Sequence, residues 1–93
     1  MYSVIYTQSA RRALKRLKHS GSFPEAKFRE LLGLFIAGKQ LPASFKDHGL
    51  QGELPASREC HLSFHLLVIY KRDDTKGTAC IEEVGTHPEL FGE

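Results

Sequence analysis

The first apolar run, Tyr2-Ser3-Val4-Ile5-Tyr6, is β-branched and aromatic, and Thr7-Gln8-Ser9 behind it supplies hydroxyls that can cap a helix. From there the spacing of apolar positions lengthens to a helical repeat. Ala10, Ala13, Leu14 and Leu17 share one stripe, and Arg11, Arg12, Lys15, Arg16 and Lys18 fill the rest of the circumference. Gly21 is expected to end this helix. Ser22 and Pro24 bracket a second helix start, and Phe28, Leu31, Leu32, Phe35 and Ile36 form a broad stripe that stops at Gly38. Two successive helices with one apolar face each require a sheet to cover.

The segment from Lys39 to Ala56 holds Pro42, Gly49, Gly52 and Pro55, so a loop with at most one short strand is expected there. Residues 58–71 read as two strands joined by a tight turn near Ser63, because Leu66 to Tyr70 is a run of β-formers. Asp73-Asp74-Thr75-Lys76-Gly77 has hairpin chemistry, and Thr78 to Val84 is a further strand. Gly85 to Phe91 is expected to close the chain as a tail. The order β-α-α-β-β-β predicts an α+β domain of two layers: a small antiparallel sheet of about four strands, both helices on one face, the other face partly open. No internal repeat or low-complexity segment interrupts it.

Ninety-three residues, 41% apolar and 26% charged, make a single domain over residues 1–93. A chain of this size buries only about 60% of the surface it exposes unfolded, too little for a large enclosed cofactor pocket. No apolar run approaches the roughly 18 residues of a membrane span, and the basic residues near the N-terminus follow the apolar ones, the reverse of a secretory signal. A cytoplasmic protein without membrane association is expected. Cys60 and Cys80 lack a CxxC spacing and fit reduced, unreactive thiols. The net charge of +2 conceals an asymmetry, because the helix cations all precede the first acidic residue, Glu25. From Asp73 onward acidic residues outnumber Lys76, the one cation there. Such a split points to a polyanion on one face and a different partner on another.

Histidine is the residue type that stands out. His19 closes the basic helix, where a cation suits the macrodipole. His48, His61, His65 and His87 fall in the loop, strand and tail region, and three readings compete for them: a metal site, a general acid–base cluster, or unconnected surface and core residues. His61 and His65 straddle a β-turn and no second cysteine pair exists, which disfavours metal. Imidazole takes up and returns protons near neutrality, and RNA cleavage through the ribose 2′-hydroxyl needs that pair of transfers and charge stabilisation, without a metal or other cofactor. Arg58 and Lys71 are candidates for holding phosphate oxygens, or solvated strand-edge cations. Phe91 either stacks on an RNA base or anchors the C-terminal segment in the core. Tyr70 sits in the apolar run and should pack, its hydroxyl at the sheet rim.

Four segments carry a resemblance. Lys46-Asp47-His48-Gly49-Leu50-Gln51-Gly52, Arg58-Glu59-Cys60-His61, Val68-Ile69-Tyr70-Lys71 and Gly85-Thr86-His87-Pro88-Glu89-Leu90-Phe91-Gly92 resemble, in order and spacing, the YafQ branch of the RelE-type toxins. The likeness covers nearly the whole chain. It implies a toxin of a bacterial toxin–antitoxin pair that enters the vacant decoding site of a translating ribosome and cleaves mRNA there. The family's acid–base histidines carry over onto His48, His61 and His87, and its mRNA-contacting aromatic onto Phe91. Where the family has an acidic residue followed by tryptophan, this chain has His65 and Leu66, and His65 joins the candidate acid–base set.

The chemistry implied is attack of the 2′-hydroxyl on the adjacent phosphorus, with His48 or His61 as base, His87 as acid, and Arg58 and Lys71 on the pentacovalent phosphate. Arg11, Arg12, Lys15, Arg16 and Lys18 then have ribosomal RNA as their partner. The toxin alone is expected to be monomeric and its complex with an antitoxin to be a larger hetero-oligomer. The residues leave open a binding toxin of the same fold, an RNA-binding module with structural histidines, and a ribonuclease that needs no ribosome.

Overall fold

The computed structural model describes residues 1–50 and 57–92. β1 (Ser3–Tyr6) leads into α1 (Gln8–Lys18), whose first turn is closed by the Thr7 hydroxyl, which accepts from the Ala10 N–H at 3.0 Å. α1 stops before Gly21, with His19 as its C-terminal cap, because the Ser20 hydroxyl and N–H both donate to the Leu17 carbonyl. α2 (Glu25–Ala37) begins after Pro24 without a side-chain cap, so Ser22 does not serve as one. It ends at Gly38 as expected; this residue is left-handed at φ 68°, and the N–H groups of Gly38 and Lys39 turn back onto the Phe35 and Leu34 carbonyls.

A 3-10 turn, Ala43–Phe45, drops the fully buried Phe45 into the core. It is followed by β2 (His48–Gly49), the one short strand allowed for in this loop; Gln51 to Ala56, with Gly52 and Pro55, lie outside the described residues. β3 (Arg58–His61), β4 (Leu66–Asp73) and β5 (Thr78–Thr86) form the expected meander, and α3 (His87–Phe91) follows.

Two expectations are corrected. The sheet has five strands, in the order β1-β5-β4-β3-β2, and is mixed: β1 lies parallel to β5, from Ser3 opposite Thr78 to Tyr6 opposite Ile81. A tight turn forces its two strands to be antiparallel, but β1 reaches β5 through two helices and three strands, and so long a connection leaves direction free. The segment read as a tail is a helix from His87. The Thr86 hydroxyl accepts from the Glu89 N–H at 3.3 Å while the Glu89 carboxylate accepts from the Thr86 N–H at 2.8 Å, and Pro88 sits in the first turn.

Both main helices pack on one sheet face. Ala10, Ala13 and Leu14 of α1 and Phe28, Leu31 and Phe35 of α2 meet Cys60, Val68, Tyr70, Ala79, Ile81 and Val84. The intervening residues of β3 and β4, namely Glu59, His61, Leu67, Ile69 and Lys71, project from the other face, as strand alternation requires. None of the described helices is long and apolar enough to cross a membrane.

A Cβ added to Gly38 would stand 2.7 Å from the Tyr2 ring, whereas one on Gly21, also left-handed at φ 81°, meets nothing within 4 Å. Gly21→Ala is therefore expected to lose about 1–2 kcal/mol from backbone strain alone, and Gly38→Ala clearly more; equal losses in denaturant unfolding would discount the contact with Tyr2. Glu89 titrates below the ordinary glutamate range, chiefly because its carboxylate accepts the Thr86 N–H, with smaller contributions from the Thr86 hydroxyl and Arg16. A depressed folded-state value means that the cap contributes above the unfolded glutamate value and is lost as pH falls through the folded one. The α3 amide signals should shift toward coil over that acidic window, and Glu89→Gln should abolish the shift.

Candidate active site

β2 pairs with β3 so that His48 lies opposite Glu59, and His61 follows two residues along β3 on the same face. One carboxylate oxygen of Glu59 is therefore shared: Oε2 stands 3.4 Å from Nε2 of His48 and 3.3 Å from Nε2 of His61. The Glu59 side chain is buried, His48 is exposed, and His61 is intermediate. A carboxylate removed from water requires hydrogen-bond donors or cations, and here two imidazoles are presented to it. His48 Nδ1 lies 2.9 Å from the Lys46 carbonyl, which can only accept, so Nδ1 carries a proton and Nε2 is the nitrogen turned to Glu59. Lys46 is the one non-glycine residue with a positive φ among the described residues, at 50°, and this left-handed turn aims its carbonyl at the ring that follows.

His61 also opens onto a cavity of about 320 Å³ that it shares with His65, His87, Phe64 and Leu67. Leu67 forms the apolar side of this space, one strand over from His61 as its register partner. His87 opens α3, with its ring centroid 4.7 Å from that of Phe91. His65 belongs to the β3–β4 turn, edge-on to Phe64 at 4.8 Å. The four candidate histidines thus form one row: His48, Glu59, His61, then the cavity with His65 and His87. Leu66, beside His65, faces the helices and is buried in the core.

The candidate phosphate ligands fare differently. Arg58 alternates with Glu59 and projects from the helix-bearing face, so it does not join the histidines. Its Nε lies 3.2 Å from each carboxylate oxygen of Asp47, and Nη2 is 3.1 Å from Oδ2. The Tyr70 hydroxyl donates to the same carboxylate. Hydrogen bonding to Asp47 holds the guanidinium pKa above its usual value; burial, and then the hydrogen bond to Asp47, push the Tyr70 phenol up. Lys71 does share the face of Glu59, just past the end of the β3–β4 ladder. Phe91 is half-exposed, not a core anchor.

The α1 cations divide between two sides of the helix. Arg12 and Arg16 flank a groove with Glu83 and Glu89, and Arg16 pairs with Glu89 at 3.2 Å. Arg11, Lys15 and Lys18 rim an apolar groove floored by Leu14 and Phe28. Cys60 is fully buried, which pushes its thiol up to about 12, so it has no nucleophilic role. Among the described residues, no group of three or more His, Cys, Asp or Glu side chains is arranged to hold a metal ion.

Reading by residue type missed Glu59 and Asp47. Glu59 was detectable, since residues i and i+2 of a strand share a face and His61 was already a candidate. Nothing in the local sequence ties Asp47 to Tyr70.

The architecture and the histidine row have counterparts among known proteins. The chain is 36% identical over 92 residues to the mRNA interferase toxin YafQ of Escherichia coli K12, covering 98% of this chain and 92% of that protein. Its fold matches the crystal structure of YafQ from E. coli BL21(DE3) with a TM-score of 0.85 at 28% identity, covering 99% of this chain and all of the other. It matches a chain of the E. coli DinJ–YafQ complex equally well, at 30% identity and the same coverage. The family model for YafQ, bacterial toxin of a type II toxin–antitoxin system, matches residues 2–92. This chain belongs to the YafQ family of bacterial type II toxin–antitoxin toxins, and the two curated E. coli relatives that it matches are named mRNA interferase toxins.

Proposed function

We propose that this toxin is a ribosome-dependent endoribonuclease that cuts mRNA in the decoding site by histidine acid–base catalysis, and so arrests translation in the cytoplasm. One observation carries the reading: a buried carboxylate contacts two imidazoles, and one of these also lines a cavity with His87. Relatives are named for mRNA cleavage, and the relative bound to DinJ supports a protein antitoxin as the partner that restrains it.

In this mechanism His61 donates its Nε2–H to Glu59 and takes the proton from a ribose 2′-hydroxyl on its other ring nitrogen, Nδ1. The 2′-oxygen bonds to the adjacent phosphorus, the bond from phosphorus to the 5′-oxygen breaks, and His87 supplies the proton that oxygen needs. The products are a 2′,3′-cyclic phosphate and a 5′-hydroxyl. His61 suits the base role better than His48 because it touches both the carboxylate and the cavity, while His48 meets the same Glu59 oxygen without lining the cavity. His65 in the cavity and Lys46 beside His61 are the donors available to the phosphorane, where added negative charge strengthens each contact in the transition state. Arg58 contributes by holding β2 on β3. The α1 cations meet ribosomal RNA, whose phosphates reward neutralisation by releasing counterions.

Defined mRNA, free and on ribosomes with an empty decoding site, tests this directly. Cutting is expected on ribosomes only, with a 5′-hydroxyl on the downstream fragment, and His87→Ala or His61→Ala should each lower kcat by about 10²-fold or more. Unchanged cutting by His87→Ala defeats the scheme; comparable cutting of free RNA removes the ribosome from it. Reversing charge at Arg11, Arg12 and Lys15 should weaken ribosome association and flatten its salt dependence by about three phosphate contacts. A salt slope that does not move would leave those side chains as a solvated helix face.

A further inference from the structure

Phe64 is 85% exposed, and with Phe91 at 38% it is one of two exposed phenylalanine rings among the described residues. The turn that carries it is held without the ring, since the Leu62 N–H donates to the Leu66 carbonyl and the Leu66 N–H donates to the Ser63 hydroxyl. The fold therefore gains nothing evident from a phenyl group in water at this position.

Its surroundings give it a use. Phe64 and His61 line two adjoining cavities: the space of about 320 Å³ that contains His65 and His87, and one of about 350 Å³ beside Lys27, Ser44 and Lys46. No acidic side chain among the described residues lines either one. The charge suits a chain of phosphates, and the ring stands where that chain would pass from the lysines to the histidines. His87, which also lines the histidine cavity, has Phe91 beside it at 4.7 Å between ring centroids, tilted, as His65 has Phe64 at 4.8 Å, edge-on.

We propose that Phe64 is a base-stacking platform for the substrate, taking the nucleotide on the opposite side of the scissile phosphate from the one at Phe91. A phenyl ring offers no hydrogen bond, so it holds any base by its face and positions the strand without choosing its sequence. The neighbouring phosphate then lies over Lys27. The proposal rests on the RNA-cleavage reading above and adds a substrate-binding residue to it.

Two experiments keep the proposal separable from that reading. In cleavage of ribosome-bound mRNA, Phe64→Ala should raise KM about tenfold with kcat little changed, and Phe64→Trp should restore it while Phe64→Leu does not. A wild-type KM in Phe64→Ala overturns the platform and leaves the cleavage mechanism intact. The second experiment needs no turnover. The chain contains no tryptophan, so Phe64→Trp in a His87→Ala background introduces a single indole next to uncut RNA. A short single-stranded RNA should quench its emission saturably, and heparin, a polyanion without bases, should not. Ile36→Trp, on the exposed side of α2, is the control that should not respond. Absence of quenching, or equal quenching by heparin, rejects stacking whether or not the protein cuts RNA.

Discussion

The Asp47 carboxylate is the contact on which the site depends. It receives the Arg58 guanidinium and the Tyr70 hydroxyl, and those two residues are register partners on β3 and β4. One side chain, placed just before β2, thereby ties a two-residue strand to the body of the sheet. Tyr70 is almost wholly buried against Phe35, and its hydroxyl would cost about 1–3 kcal/mol if left without a partner. Among the described residues no buried side-chain nitrogen or oxygen is left unpaired. Because Asp47 is pinned on the helix-bearing side, His48, next in the chain, is delivered opposite Glu59 on the other.

That division of labour runs through the sheet. Cys60, Val68 and Tyr70 face the helices and build the core; Glu59, His61 and Leu67, alternating with them, build the site. A substitution on either face therefore reaches the other through the backbone it shares. The cleft is correspondingly shallow, as a small domain requires: its walls are a turn and a one-and-a-half-turn helix rather than a second lobe. In the proposed function, the ribosome that holds the message would supply the enclosure that so shallow a site lacks.

Much of this was legible in the sequence. Period fixed both helices, β-formers and turn residues fixed the β3–β4–β5 meander, and residue type picked out His48, His61, His65 and His87 for their chemistry. Direction was not legible for β1, since no turn constrains it. The closing helix was legible in principle, because Thr86 and Glu89 at a separation of three are a capping pair, but a strand flowing straight into a helix hides the boundary. Arg58 misled because a cation looks alike in sequence whether it faces phosphate or a carboxylate; only alternation relative to Glu59 decides the matter. Asp47 could not be read at all, as its partners Arg58 and Tyr70 are distant in sequence and only the sheet brings them to it.

The parallel pairing of β1 with β5 has a consequence for the birth of the molecule. Thr7 and Glu82 are bonded across seventy-five positions, and α3 with His87 and Phe91 follows still later. During synthesis the first strand stays without its strand partner until β5 has emerged, and His87 emerges after that strand. A chain grown only as far as β4 therefore lacks both the parallel strand pair and the histidine that opens α3.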